Sequence, residues 1–266
     1  MTKRQSVSSD AYSESYFLTE CEGHESYEET GGRLLPQRLV TALDLARDML
    51  DQPATESAAF LDLGCGRGEL VRFLSESYQT AVGLDYSIDA LRLARDIVPA
   101  DRAHLTQANV CFLPFADNTF RLVFALDLVE HLYPEELDAT LREVERILRP
   151  GGRLIVHTMP NIWYYRYGYP LFRRVQRVRG NVLPADPRDR WEFVKHVHVN
   201  EQSVRSLSKS LRRAGFSARV SLRNTQKFER EPSALARRVY HLVSTIYPFA
   251  WIFCSDIFAV ATKRGA

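Results

Sequence analysis

Three glycines, Gly64, Gly66 and Gly68, lie between a short apolar run and a helical pattern in Phe60-Leu61-Asp62-Leu63-Gly64-Cys65-Gly66-Arg67-Gly68-Glu69-Leu70. Glycine accepts the positive φ of a tight turn and presents no Cβ to a ligand. A helix that starts after such a turn offers unpaired N–H groups and the positive end of its dipole. The pattern predicts an open parallel sheet, which binds ligands at the carboxyl ends of its strands. Asp85 ends a second apolar run 21 residues beyond Gly64, where a carboxylate can accept from both hydroxyls of a ribose. The glycines are spaced G-x-G-x-G, not G-x-G-x-x-G, and Asp62 precedes them. An acid in that position suits an ammonium-bearing ligand better than a pyrophosphate.

The rest of the chain supports such a sheet. Apolar runs predict strands at 58–63, 80–84, 104–108, 122–126 and 153–158. Between them, 3.6-residue periodicity predicts helices at 69–77, at 88–96 capped by Ser87, and at 134–148, after a first helix at 37–50. A loop follows the first helix at 51–57. Val204, Leu207 and Leu211 mark a later helix, and 217–222 and 256–262 read as the last strands, separated by a segment with a helix at 233–253. Strands and helices alternating in this way argue for parallel strands with helices on both faces. Low apolar density up to Tyr16 predicts a flexible start.

With 266 residues, 45% apolar and 26% charged, the chain suits one large domain or a domain with a lid, and wholesale disorder is excluded. The net charge of +2 excludes a polycation. The opening MTKRQSVSSD has no apolar h-region, and the four cysteines form no C-x-x-C; no signal peptide, disulfide framework or zinc site is expected, and a cytoplasmic location fits. The 17 uncharged residues at 239–255 fall short of a membrane span and read as a buried or interfacial helix.

Four motifs in register, LDLGCGRGEL, GLDYS, ANVCFLPFADNTFRLVFALDLVEHL and ILRPGGRLIVHTMPN, resemble those of the class I S-adenosylmethionine-dependent methyltransferases over residues 35–161. LRRAGFSARV and IFAVATKR resemble that family's last two strands. The resemblance implies an α/β fold: a seven-stranded Rossmann-like sheet, parallel with one antiparallel strand, helices on both faces, and added lid or insert helices. It implies S-adenosylmethionine as cofactor. Asp62, Gly64, Cys65, Gly66 and Gly68 would surround the methionyl end, Asp85 the ribose and Tyr86 the adenine. Asn109 and Val110 would meet the adenine edge, and Leu126 and Asp127 the sulfonium end. The family usually has aspartate where Asn109 stands, but an amide can still accept from an adenine amino group. It also favours aspartate where Arg121 stands, a position that is usually structural.

Methyl transfer needs the acceptor atom held in line with the methyl group and water excluded. For a hydroxyl acceptor a histidine base would help. Three candidates follow: His131, in an elbow after the fourth strand where a loop-fixing role is equally open, and His196 and His198, which share a face if their segment is extended. His157 alternates with Ile155 and reads as structural. No third metal ligand stands at suitable spacing, so no metal is expected.

Residues 1–32 carry net −5 and 162–195 net +5, the latter with eight aromatics including Trp163, Tyr165 and Trp191. Such a mixture can stack on a ligand and grip anions. The expected organisation is a lid or flexible segment at 1–36, a cofactor-binding core at 37–161, a basic aromatic substrate lid at 162–200, and the last strands with an inserted helix at 201–266. The expected reaction is O-methylation of a small-molecule or glycan- or lipid-linked acceptor, anionic if the basic insert binds it. RNA or protein methylation and a non-catalytic cofactor-binding partner are the alternatives. Nucleic acid fits poorly, peripheral membrane contact stays open, and the chain is expected to be a monomer or homodimer.

Overall fold

The computed structural model of the chain describes residues 7–51, 59–78, 81–190, 192–226, 228 and 231–265. The loop at 52–57, the expected strand starts at 58 and 80, and Trp191 lie outside the described residues. Seven strands form one sheet: β1 (Ala59–Leu63), β2 (Ala81–Asp85), β3 (Ala103–Gln107), β4 (Phe120–Leu126), β5 (Leu148–Thr158), β6 (Phe216–Leu222) and β7 (Ile257–Lys263). Their order is β3-β2-β1-β4-β5-β7-β6. β1 to β5 are parallel, and β7 runs antiparallel to both β5 and β6. This is the Rossmann-like arrangement expected from the sequence.

The helices are α1 (Glu14–Thr19), α2 (His24–Thr30), α3 (Gln37–Leu50), α4 (Glu69–Ser77), α5 (Ile88–Ile97), α6 (Pro134–Ile147), α7 (Tyr169–Val178), α8 (Glu192–Val197), α9 (Val204–Arg213), α10 (Ala234–Thr245) and α11 (Ala250–Phe253). Successive side chains of a strand point to opposite faces, so each central strand feeds two cores. Leu154 and Val156 pack with Leu137, Leu141 and Val144 of α6 and Leu207 and Leu211 of α9. Ile155 joins Leu39 and Leu43 of α3, Leu70 and Leu74 of α4 and Leu91 of α5 on the other face. Ser87 caps α5, accepting from the Ala90 N–H. The strand order reverses at β1, between β2 and β4, and the crevice beyond the carboxyl ends of β1 and β4 is where an open α/β sheet takes a ligand.

Three local expectations are corrected. The single helix at 233–253 is two helices: α10 ends at Thr245 with an extended Ile246, and α11 starts only after Pro248, which has no N–H to continue a helix. The segment carrying His196 and His198 is helical through Val197, so the two side chains do not share a face. The low apolar density before Tyr16 does not leave residues 7–20 irregular. A short 3₁₀ turn (Ser9–Ala11) and α1 bury Tyr12 and Phe17, which cluster with Leu93 and Val197.

Candidate active site

A cavity opens at the switch point. Its wall includes Asp62, Gly64, Cys65, Gly66, Asp85, Tyr86, Asn109, Val110, Leu126, Asp127 and His131. The chain therefore brings together every expected cofactor residue except Gly68. That glycine heads α4 at φ +82°, and a Cβ there would come within 2.8 Å of the Ala94 Cβ and 2.9 Å of Val98 Cγ2. Its task is close packing of the turn on α5. Gly64 and Gly66 also have positive φ, and a Cβ on Gly64 would press on Leu128 (3.3 Å), whereas one on Gly66 would reach Phe17 at an ordinary contact distance.

Both carboxylates of the glycine-loop region are buried. Asp62 is pushed up to about 8, first by burial and then by the negative fields of Asp85, Glu69 and Asp127. Burial also raises Asp85, opposed by backbone N–H donors. The Gly66 N–H donates to its Oδ2 (3.0 Å) and the Ser87 N–H to its Oδ1 (2.8 Å). The Tyr86 N–H bonds the same carboxylate; with about four acceptor positions in all, it keeps capacity for a ligand hydroxyl. Asn109 Oδ1 accepts from the Cys111 N–H at 2.8 Å, which orients the amide and leaves its second lone pair for a ligand.

Asp127, the residue after β4, has φ +53°, a left-handed conformation that is costly without glycine. Charged partners grip both its oxygens. The Arg38 Nε–H donates to Oδ2, and His157 Nδ1 lies 2.5 Å from Oδ1. The Asp127 N–H donates to the His157 carbonyl at 3.1 Å. His157, fully buried, also reaches Asp256 Oδ1 through Nε2 at 3.2 Å, and the Thr225 hydroxyl donates to the same oxygen at 2.6 Å. Burial alone would lower His157, but Asp127 and Asp256 outweigh it and raise the imidazole to about 10. Burial acts upward on Asp127, yet Arg38 and His157 hold it well below the ordinary carboxylate range. Both shifts favour the ionised pair, which ties α3 and the end of β5 to the strained residue.

The Glu130-His131 elbow is tied in as firmly. Glu130 accepts from the Thr158 hydroxyl (2.7 Å) and the Met159 N–H (3.4 Å), and its carbonyl accepts from the Val199 and Asn200 N–H groups. Burial, then Asp127, pushes its carboxyl up to about 8. His131 Nδ1 lies 2.9 Å from the Tyr12 hydroxyl, and its ring meets the His198 ring edge-on at 4.9 Å. Burial, then His198, lowers His131 to about 3; burial lowers His198 to about 4. Both imidazoles are neutral at pH 7. His198 does not line the cavity, although its Nδ1 is buried without a partner among the described residues. His196 is exposed on α8 and is not part of the cavity wall either.

Space supplies the third ligand that sequence spacing lacked. Atoms of Glu130, His131 and His198 lie within 4.8 Å of one another. Most of these atoms are already committed, however: both Glu130 oxygens accept hydrogen bonds, and His131 bonds to Tyr12 and to the Val197 backbone. Sequence reasoning missed Tyr12, Tyr16, Phe17, Cys21 and Arg38, which also line the cavity. They come from segments before β1 that carry no motif, and only the aromatic content of 12–17 hinted at them.

Residues 61–156 match a methyltransferase-domain family model. A demethylmenaquinone methyltransferase from Lactiplantibacillus plantarum is 32% identical over 177 residues, covering 60% of this chain and 70% of that one. The chain belongs to the S-adenosylmethionine-dependent methyltransferases. It is also 32% identical to a fatty-acid O-methyltransferase from Mycolicibacterium smegmatis over 113 residues, 42% of this chain and 40% of that protein. Two other relatives are covered over 36% and 50% of their lengths. Among solved structures, geranyl diphosphate C-methyltransferase from Streptomyces coelicolor, in complex with S-adenosyl-L-homocysteine, superposes with a TM-score of 0.56 at 17% identity, covering 92% of this chain and 85% of that one. The methyltransferase's cofactor is S-adenosylmethionine, and the cavity's chemistry fits it. The wall offers a buried acid for an ammonium group, a second buried acid held by backbone N–H groups for a ribose, and positive-φ glycines that leave the cradle open. No helix among the described residues is long and apolar enough to cross a membrane.

Proposed function

We propose that this methyltransferase methylates a hydroxyl of a small-molecule or glycan- or lipid-linked acceptor. The observation that supports this reading is the Tyr12–His131 pair, 2.9 Å apart, on the wall of the cavity that also contains Asp62 and Asp85. Asp62 takes the ammonium of the cofactor, Asp85 both ribose hydroxyls, Tyr86 the adenine face, and Asn109 and Val110 its edge. Gly64, Cys65 and Gly66 line the methionyl end, with Leu126 and Asp127 beside the reacting centre. The bound cofactor supplies an activated methyl group; the protein's part is to position, desolvate and take up a proton.

The Tyr12 hydroxyl donates to His131 Nδ1 and accepts from the acceptor hydroxyl. As the acceptor oxygen gains its methyl group, its proton passes to Tyr12 and the Tyr12 proton to His131. A neutral imidazole can take that proton, and the Val197 backbone bond and the Asp127 charge favour the imidazolium that forms, against the burial that opposes it. The segments 1–36 and 162–200 act as lids over the core at 37–161, and 201–266 completes the sheet. The relatives' names include both a quinone and a fatty-acid methyltransferase, which supports an acceptor with an apolar body.

The test is turnover with a panel of hydroxylated acceptors, read as S-adenosylhomocysteine formed. Tyr12→Phe and His131→Ala should each lower kcat by roughly 10²–10⁴-fold while affinity for S-adenosylhomocysteine stays within a few-fold. His196→Ala should match the parent protein. Full activity in both Tyr12→Phe and His131→Ala would refute the relay.

A further inference from the structure

Two helices outside the core expose a concentration of apolar surface. On α7, Leu171, Val175 and Val178 are spaced four and three residues apart and all are exposed. Val178 is 90% exposed, and Val182, four residues on, 95%. On α10, Leu235, Val239, Leu242 and the C-cap Ile246 repeat the four-three-four spacing, again all exposed, and Tyr247 and Phe249 extend the stripe. Spacing of this kind puts each set along one side of its helix. Single exposed apolar residues are ordinary, but a contiguous stripe marks an interaction surface.

The two stripes fall on one side of the helix pair. Phe172, near the start of α7, meets Tyr240 in the middle of α10 (ring centroids 5.6 Å), and the Gln176 amide donates to the Tyr240 hydroxyl. Arg179, past the end of α7, pairs with Glu231, ahead of α10 (2.7 Å). The helices therefore run antiparallel. In each, the apolar stripe lies roughly a third of a turn from the contact residues, in the same rotational sense. Equal offsets in an antiparallel pair bring both stripes to the same side. The platform is firmly built: Trp163 stacks on Trp251 (5.1 Å), the Asn161 amide donates to the Trp251 and Cys254 carbonyls, and a Cβ on Gly168 would collide with the Ile252 carbonyl oxygen. The charge beside the stripes is basic. Arg174, Arg177 and Arg238 are exposed on the same two helices, and neither helix carries an acidic residue.

We propose that this face seats the protein on an anionic lipid bilayer. The two apolar stripes enter the boundary between headgroups and acyl chains, and Arg174, Arg177 and Arg238 contact lipid phosphates. The carboxyl end of β5 leads into the platform, and the platform leads back into β7 at its start, which lies at the same edge of the sheet because β7 is antiparallel. That edge also carries the cofactor cavity, so a bilayer-borne acceptor would meet the protein on the side where the methyl group is held. The proposal concerns the surface and stands whether or not the acceptor is a hydroxyl.

The test uses the full chain with sucrose-loaded vesicles of phosphatidylcholine alone and of phosphatidylcholine mixed equally with phosphatidylglycerol. The parent protein should sediment with the mixed vesicles and much less with the neutral ones. Val178→Asp combined with Leu242→Asp should abolish sedimentation, with thermal unfolding and S-adenosylhomocysteine affinity unchanged. Replacing Arg174, Arg177 and Arg238 by serine should weaken binding to mixed vesicles by roughly fivefold per residue. Failure of the parent protein to bind either vesicle, or equal binding by the double aspartate variant, would overturn the proposal. So would a parent dimer, seen in analytical ultracentrifugation, that becomes monomeric in that variant while ignoring lipid, since the face would then belong to a second copy of the chain.

Discussion

His157 provides the sharpest test of how the site is held together. Replacing it with leucine keeps much of the volume but removes both imidazole bonds. Asp256, fully buried, would then retain, among the described residues, the Thr225 hydroxyl as its side-chain donor. The magnitude follows from the imidazole. Its ordinary value of 6.5 is raised to about 10 in the folded protein, and each unit is worth about 1.36 kcal/mol, so the folded site favours the imidazolium by about 5 kcal/mol net of the cost of burying it. The depression of Asp127 is the same interaction seen from its partner and is not added. Breaking a buried pair by deleting one member costs about 3–5 kcal/mol, which agrees. The sign is fixed by linkage: a group raised on folding contributes fully below pH 6.5 and loses its contribution as pH rises through about 10. Urea unfolding should therefore show His157→Leu destabilised by about 3–5 kcal/mol near pH 6, with the gap to the parent closing above pH 10. Adding Asp256→Asn to His157→Leu should recover part of the loss, because the buried acid left without its imidazole partner is gone. A gap below about 1 kcal/mol, or one that does not change with pH, would mean the imidazole is neutral and the ionic bridge is wrong.

Other outcomes follow from the same geometry. Asp85→Ala should weaken S-adenosylhomocysteine binding by about 1.5–3 kcal/mol, the loss typical of a charged hydrogen-bond acceptor; unchanged affinity in titration calorimetry would remove Asp85 from the ribose. Gly68→Ala should cost stability, about 1–3 kcal/mol from the φ of +82° plus overpacking on Ala94 and Val98, and should change cofactor affinity less than stability. Chemical unfolding and calorimetry on the same sample separate the two effects. Burial and acidic neighbours raise Asp62 to about 8, so it should hold a proton near pH 7 until an arriving ammonium ionises it. Calorimetry in buffers of different ionisation enthalpy should report proton release on cofactor binding, lost in Asp62→Asn; an equal heat in all buffers would contradict this.

The core was legible because its signals are local. A strand, a positive-φ turn and a helix start occupy consecutive residues around Gly64, Gly66 and Gly68, and a side-chain period of two or 3.6 separates β5 from α6 without any knowledge of the fold. Even there, local logic did not separate roles. Gly68 belongs to the same glycine run as Gly64 and Gly66, yet it serves the packing of α4 on α5 and stays off the cavity wall. The acidic pair Asp62 and Asp85 could be named as ligands from spacing, but their electrostatic states depend on burial and on each other.

What stayed hidden was the set of pairs, in the wall and behind it, between residues far apart in the chain. Tyr12 and His131 are 119 residues apart, Arg38 and Asp127 are 89, and His157 and Asp256 are 99. No periodicity couples such positions, and their pairing follows only once the chain has folded. The notion of His196 and His198 as one constellation failed for the opposite reason: two positions close in sequence look coupled until the backbone between them turns helical. The charge pattern was visible from the start, with an acidic N-terminal segment and a basic insert after β5. Opposite signs alone would allow the two segments to pair with each other over the cofactor. The described ion pairs of the insert instead hold it to itself and to the rest of the C-terminal region: Arg179 takes Glu231, Arg188 takes Asp186 and Glu201, and Lys195 takes Asp189. The N-terminal segment reaches the site by other means, through the Tyr12 and Tyr16 rings on Phe193 and through Glu22 beside Arg38. Net charge therefore located a surface without naming its partner, and Arg174, Arg177 and Arg238 remain facing outward beside the apolar stripes.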